Sequence, residues 1–193
     1  GVNYGNLGYT HHAIQDYGLI RLFPNMLIAS PGDNFETREC MKYLLKNPQP
    51  SYLRLAKSEK ETFDRANKRV SPGSWIRVDS KKNKTFNAIL CTGNTLHLGK
   101  EMIQQKKYRN FNLYTLPIWG MKCKVFQKKY LNNLKHLITL EDHIEDGGFS
   151  SWIKESAKEK INKIKITSKF FDSKIIGKVG SEKYLREKYF NKI

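Results

Sequence analysis

Pro24-Asn25-Met26-Leu27-Ile28-Ala29-Ser30-Pro31-Gly32-Asp33-Asn34-Phe35-Glu36 reads as a strand, a turn and the start of a helix. Pro24-Asn25 stops whatever precedes it, and Met26–Ser30 is an apolar run of strand length. Pro31-Gly32 turns the chain. Asp33 can accept from the free N–H groups of a helix start, and Glu36 three residues on makes an acidic variant of the capping box. The helix is predicted to run to about Lys46, where Pro48 and Pro50 break it, and Ser51–Leu55 reads as a second strand. Strand, helix and strand in this order favour a parallel sheet.

Upstream, Ile14, Tyr17, Ile20 and Phe23 recur at a spacing of three and predict a helix over His12–Phe23. Gly1–Tyr9, with glycines at 1, 5 and 8, reads as a loop. Downstream, residues 57–72 turn charged and end in the turn Ser71-Pro72-Gly73, which makes them the linker candidate. Beyond it, strands are expected at Ser74–Val78, Phe86–Cys91, Asn112–Leu116 and Leu137–Leu140. Helices are expected at Thr95–Tyr108, Cys123–Asn133 and Phe149–Lys163. The expectation is an α/β protein of two units, residues 1–56 and 73–193, the second built on a mixed sheet of about five strands.

The 193 residues fit one large domain or two small ones. Hydrophobic residues at 39% and aromatics at 12% are enough for a packed core and argue against wholesale disorder. No run of about 18 apolar residues spans a membrane, and no basic-then-apolar leader follows Gly1. Cys40, Cys91 and Cys123 match neither a disulfide framework nor zinc spacing, so buried thiols in a reducing cytoplasm are expected. The net charge of +17 raises nucleic acid as a partner. Yet 27 of the 35 basic residues are Lys, spread along predicted helix faces, whereas Arg is the residue that reads bases and phosphates bidentately. A solvated Lys-rich surface is the expectation, with no nucleic acid and no membrane as partner.

His11-His12 follows a glycine-bearing loop and opens the predicted helix, where imidazoles can bind or exchange protons with an anionic oxygen. One of the pair could equally cap the helix. Neighbours on a helix point ~100° apart, so the two make a poor joint metal site. Arg54 sits near the end of a predicted parallel strand, the place where α/β sheets bind ligands. It suits a phosphate or carboxylate, or else an ion pair at the sheet rim. Glu141-Asp142-His143-Ile144-Glu145-Asp146-Gly147-Gly148 lacks the i, i+4 histidine pair of metalloproteases and reads as an acidic loop feeding a helix. No metal ligands and no cofactor-binding residues are assigned.

Gly5-Asn6-Leu7-Gly8-Tyr9-Thr10-His11-His12-Ala13-Ile14-Gln15-Asp16, Leu22-Phe23-Pro24-Asn25-Met26 and Pro31-Gly32-Asp33 with Glu36 resemble the transketolase family. They are similar to the second half of the pyrimidine-binding domain of thiamine diphosphate enzymes. Pro50-Ser51-Tyr52-Leu53-Arg54-Leu55 resembles the strand that closes that domain. Cys91-Thr92-Gly93-Asn94, Thr139-Leu140-Glu141-Asp142-His143 and Gly180-Ser181 with Tyr184-Leu185-Arg186 are similar to the transketolase C-terminal domain.

The resemblance implies residues 1–56 as the end of a parallel-sheet pyrimidine-binding domain and 73–193 as a three-layer α/β/α C-terminal domain. It implies a transferase moving a two-carbon ketol unit between sugar phosphates, with His11 serving proton transfer and Arg54 and His12 binding substrate. It also implies that thiamine diphosphate and Mg²⁺ are held mainly by an N-terminal half that this chain lacks, in a dimer or other homo- or hetero-oligomer. The chain alone is then expected to be inactive. Leu7 stands where the family pattern has a sugar-binding Asp, and Gln15 where it has Glu. Changed specificity, as in surface-sugar synthesis or a deoxyxylulose phosphate synthase-like protein, is therefore an alternative, as is a non-catalytic assembly subunit.

Overall fold

The computed structural model describes residues 1–57, 62–63, 69–78, 85–157 and 163–191. Residues 58–61 and 64–68 of the expected linker, and 158–162 of the helix expected to reach Lys163, lie outside the described residues. In chain order the elements are α1 (Asp16–Ile20), β1 (Leu27–Ala29), α2 (Asn34–Lys46), β2 (Ser51–Leu53), β3 (Ile76–Arg77), β4 (Asn87–Cys91) and α3 (Thr95–Gln104). Then come β5 (Asn112–Thr115), β6 (Ile118–Gly120), α4 (Lys128–Leu131), β7 (His136–Ile144), α5 (Phe149–Ser156), β8 (Lys165–Phe171) and α6 (Glu182–Tyr189).

β1, α2 and β2 form as the opening stretch predicts. Asp33 caps α2 by accepting from the Glu36 N–H at 2.9 Å, and the buried Glu36 carboxylate reaches back to the Gly32 N–H at 2.7 Å. β1 and β2 are parallel, Leu27 opposite Ser51 and Ala29 opposite Leu53. On its other side β1 takes β6, antiparallel, Leu27 opposite Gly120. This three-stranded sheet, ordered β2-β1-β6, thus borrows a strand from residues far downstream.

The second sheet has five strands in the order β3-β5-β4-β7-β8, with β3 antiparallel and the others parallel. Ala88 and Leu90 of β4 pack into one core with Phe149, Trp152 and Ile153 of α5, while Ile89 and Cys91 pack with Leu96, Met102 and Ile103 of α3. Successive residues of a strand point to opposite faces, so the sheet is the middle layer between two helices. The expected mixed sheet is present.

The predicted helix over His12–Phe23 shrinks to α1. Tyr9–His11 is instead a 3-10 turn, His12 is extended, and the residue before α1 is Gln15, so neither histidine caps a helix. Ile14 packs against Val2, Ile144 and Phe171, whereas Tyr17 packs into the core with Trp119, and Leu19 stays 68% exposed. Residues serving two cores and solvent do not make one helical face. Two strands go beyond the sequence expectation, β6 and the edge strand β8, where Lys165 and Lys169 interrupt the apolar pattern. All three cysteines are free and buried, as expected. Among the described residues no helix is long and apolar enough to cross a membrane.

Candidate functional site

The two sheets meet where the end of β2, the loop after β4 and the end of β7 converge. Gly93 crosses here beside Ser30 with φ at +61°, and an added Cβ would lie 2.4 Å from the Ser30 hydroxyl, so the close approach requires glycine. Around this junction a small cleft of about 90 Å³ is lined by Asn3, His11, Arg54, Lys57, Asn94 and Asp142, among others. The structure therefore brings His11 and Arg54 to one cleft. His12, half-buried and edge-on to Tyr9 at 6.4 Å, is not among the lining residues. Burial holds its pKa below the ordinary value.

His11 is exposed, with Nδ1 3.0 Å from Thr10 Oγ1. Arg54 is buried, and it realises the ion-pair reading of the sequence: its Nε lies 2.7 Å from Asp16 Oδ2. Nη1 donates to the Tyr17 hydroxyl at 3.0 Å, and Nη2 to the carbonyls of Ala13 and of Asp142, the latter at 2.8 Å. The guanidinium also lies over the Tyr17 ring, 4.4 Å from its centre. Its fork is thus turned inward, and no sequence signal marks α1 and β7 as sharing it. Lys57 stands at the rim with its ammonium 5.9 Å from the Tyr4 ring.

The segment read as an acidic loop is largely strand. Glu141, Asp142 and His143 are buried in β7. Glu141 accepts from the N–H groups of Phe149 at 2.6 Å and Ser150 at 3.0 Å, which caps the start of α5. Burial pushes its carboxyl up to about 7, with those two donors pulling the other way. His143 Nδ1 faces the Ile144 carbonyl at 2.7 Å and its Nε2 accepts from Gly18 N–H at 3.2 Å, so the proton sits on Nδ1. Burial lowers its pKa, which suits a neutral imidazole.

Asn3, Asn94 and Asp142 also line the cleft; Asn94 and Asp142 lie in stretches that carry the family resemblance, but the sequence reading gives none of the three a site role. What links them is α6. A larger groove of about 440 Å³, between the end of β7 and the chain after β8, holds none of the predicted site residues. Among the described residues no group of three or more His, Cys, Asp or Glu could hold a metal ion, and the carboxylate that lines this cleft, Asp142, lies 3.4 Å from Arg186 Nη2. Enclosed ligand sites measure ~300–1,000 Å³, several times the volume of this cleft.

The family model described as "Transketolase, pyrimidine binding domain" matches residues 1–61. An apulose-4-phosphate transketolase subunit of Phocaeicola vulgatus is 25% identical over 162 residues, 82% of this chain and 51% of that protein. The 1-deoxy-D-xylulose-5-phosphate synthase of Thermus thermophilus is 30% identical over 156 residues, 79% of this chain and 24% of that protein. This chain thus spans about half the length of the apulose-4-phosphate transketolase subunits and about a quarter of the synthase. Among solved structures, a split-gene transketolase described as an inactive beta4 tetramer superposes with a TM-score of 0.75 at 21% identity, over 93% of this chain and 57% of that one. Transketolase from Campylobacter jejuni gives 0.71 at 18%, over 97% and 28%. Residues 1–61 therefore belong to a transketolase-family pyrimidine-binding domain, and the fold that continues from them is that of transketolase.

Proposed function

We propose that this chain supplies the C-terminal part of a thiamine diphosphate-dependent transketolase-like enzyme that transfers a two-carbon ketol unit between sugar phosphates. The observation that carries the reading is the convergence of His11, Arg54 and Asp142 on one cleft where the two sheets meet. Residues 1–56 would complete a pyrimidine-binding domain, 57–72 link, and 73–193 form the C-terminal domain. In this reading thiamine diphosphate, held mainly by the partner half, would supply the electron sink for cleaving the ketol unit from its donor. His11, exposed at the cleft, holds or moves a proton at a sugar hydroxyl. Arg54 contributes positive charge at the cleft floor with its fork committed to the protein, and Lys57 at the rim is the cation placed to meet a phosphate. His12 acts at most through the turn that presents His11.

The partner is an N-terminal half holding the diphosphate and Mg²⁺, in a cytoplasmic hetero- or homo-oligomer. Support comes from the length relation to the apulose-4-phosphate transketolase subunits and from the small size of the cleft. A second reading, changed sugar specificity, is favoured by Leu7, which is 57% exposed where the family pattern has Asp. Calorimetric titration with thiamine diphosphate and Mg²⁺ tests the proposal, first on this chain alone and then with the upstream half added. Binding and turnover of a ketose phosphate are expected only in the mixture. Micromolar binding by this chain alone would overturn the division of labour.

A further inference from the structure

Two side chains of α6 bond residues that line the cleft. Glu182 Oε2 accepts from Asn3 Nδ2 at 2.8 Å, and its Oε1 accepts from Asn94 Nδ2 at 3.3 Å. Oε1 also accepts from Arg186 Nε at 3.0 Å, and Arg186 Nη2 lies 3.4 Å from the buried Asp142 carboxylate. One carboxylate on the last helix thus ties together two walls of the cleft that are 91 positions apart, and its ion-pair partner holds a third. Asn94 stands immediately before α3 and Asn3 lies in the opening loop, so the two amides come from segments with no local link between them.

We propose that Glu182 is a positioning residue of the cleft: it sets the spacing of Asn3 and Asn94, so a substrate meets the right cleft only when α6 is docked. Asparagine amides present both a donor and an acceptor, the chemistry that suits the hydroxyls of a sugar. Glu182 engages the Nδ2 end of each amide, and a carbonyl end is the kind of group to which a ligand hydroxyl donates. The substrate side of this inference rests on the proposed function; the positioning side does not.

Hydrogen exchange on the 193-residue chain separates the two. Glu182→Ala is expected to speed exchange about tenfold in residues 2–12 and 93–97, the gain expected from losing a charged hydrogen bond, while β4 and β7 keep wild-type protection. Glu182→Gln keeps the side chain's shape but turns a donor toward one Asn amide, so it should loosen one wall and spare the other. Lys183→Ala, on the solvent face of the same helix, should change nothing. With the upstream half and a ketose phosphate, Glu182→Ala should raise KM about tenfold and leave kcat within twofold. Exchange that rises uniformly through β4 and β7, wild-type exchange in both Glu182 variants, or an unchanged KM would each overturn the proposal. If the wild-type assembly shows no turnover, the proposed function fails and exchange alone decides the positioning role.

Discussion

Arg54 Nη2 donates to the main-chain carbonyl of Asp142 at 2.8 Å, so the end of β2 is fastened directly to the end of β7. The same guanidinium pairs with Asp16 and bonds Tyr17, which brings α1 into the junction. A single buried cation therefore holds three elements from both sheets.

Arg54→Ala should destabilise the protein by about 3 kcal/mol, because it removes the ion-pair partner of Asp16, leaving Tyr52 as its donor, and takes the Arg54 donor from the Asp142 carbonyl at the buried junction. Arg54→Lys should lose less, keeping the charge but not the planar fork. Urea unfolding measures both. A loss below about 1 kcal/mol for the alanine variant would mean that the junction is held elsewhere.

Gly148 precedes α5 with ordinary negative φ, so its need for glycine is one of space. An added Cβ would fall 2.0 Å from the Glu141 carboxylate that caps the helix. Gly148→Ala should cost several kcal/mol and lower the melting temperature clearly. A melting point equal to wild type would show that Glu141 can leave its capping position freely.

The Glu141 carboxyl, raised from 4.5 to about 7, binds its proton more tightly when folded than when unfolded. Its contribution to stability is complete below about pH 4.5 and is lost as pH rises to about 7, roughly 3 kcal/mol in all. His143, with its pKa lowered by burial, acts in the opposite sense, costing stability as pH falls below about 6.5. The difference between wild type and Glu141→Gln isolates the first effect, since His143 is common to both. That difference should shift steadily against wild type from pH 4.5 to 7 and flatten above. A flat difference across the range would mean that the carboxylate is stabilised by its two backbone donors more than burial opposes it.

Leu7→Asp should leave the unfolding midpoint within about 0.5 kcal/mol, because the side chain is 57% exposed. In the assembled enzyme it should lower KM for a polyhydroxylated ketose phosphate, as a carboxylate gains a sugar hydroxyl. An unchanged KM would place Leu7 outside the sugar path.

Much of the fold is legible because its signals are local. Asp33 with Glu36, and the prolines at 31, 48 and 50, mark element ends within a few residues of where they act, and β1, α2 and β2 follow. The α1 region departs from expectation because Ile14 and Tyr17 serve different cores, which periodicity cannot register. For the site, residue type and strand-end position lead to His11 and Arg54. The inward pairing of Arg54 cannot be read from the sequence, since its partners at 16 and 142 are brought there only by the fold. Glu182 is hidden for the same reason: an acid in the first turn of a charged helix looks like an ordinary favourable charge near the helix N-terminus.

The pairing of Leu27 with Gly120 has a bearing on how the chain comes to be folded as it leaves the ribosome. β1 and β2 emerge early, yet β1 keeps one bare edge until residues 118–120 are synthesised. An apolar strand with an open edge invites pairing with other chains, and contacts between distant residues form late. Any truncation that ends before Ile118, even one drawn neatly between the two sheets, would leave Leu27, Ile28 and Ala29 exposed along that edge. Such a piece should precipitate rather than behave as a free-standing domain.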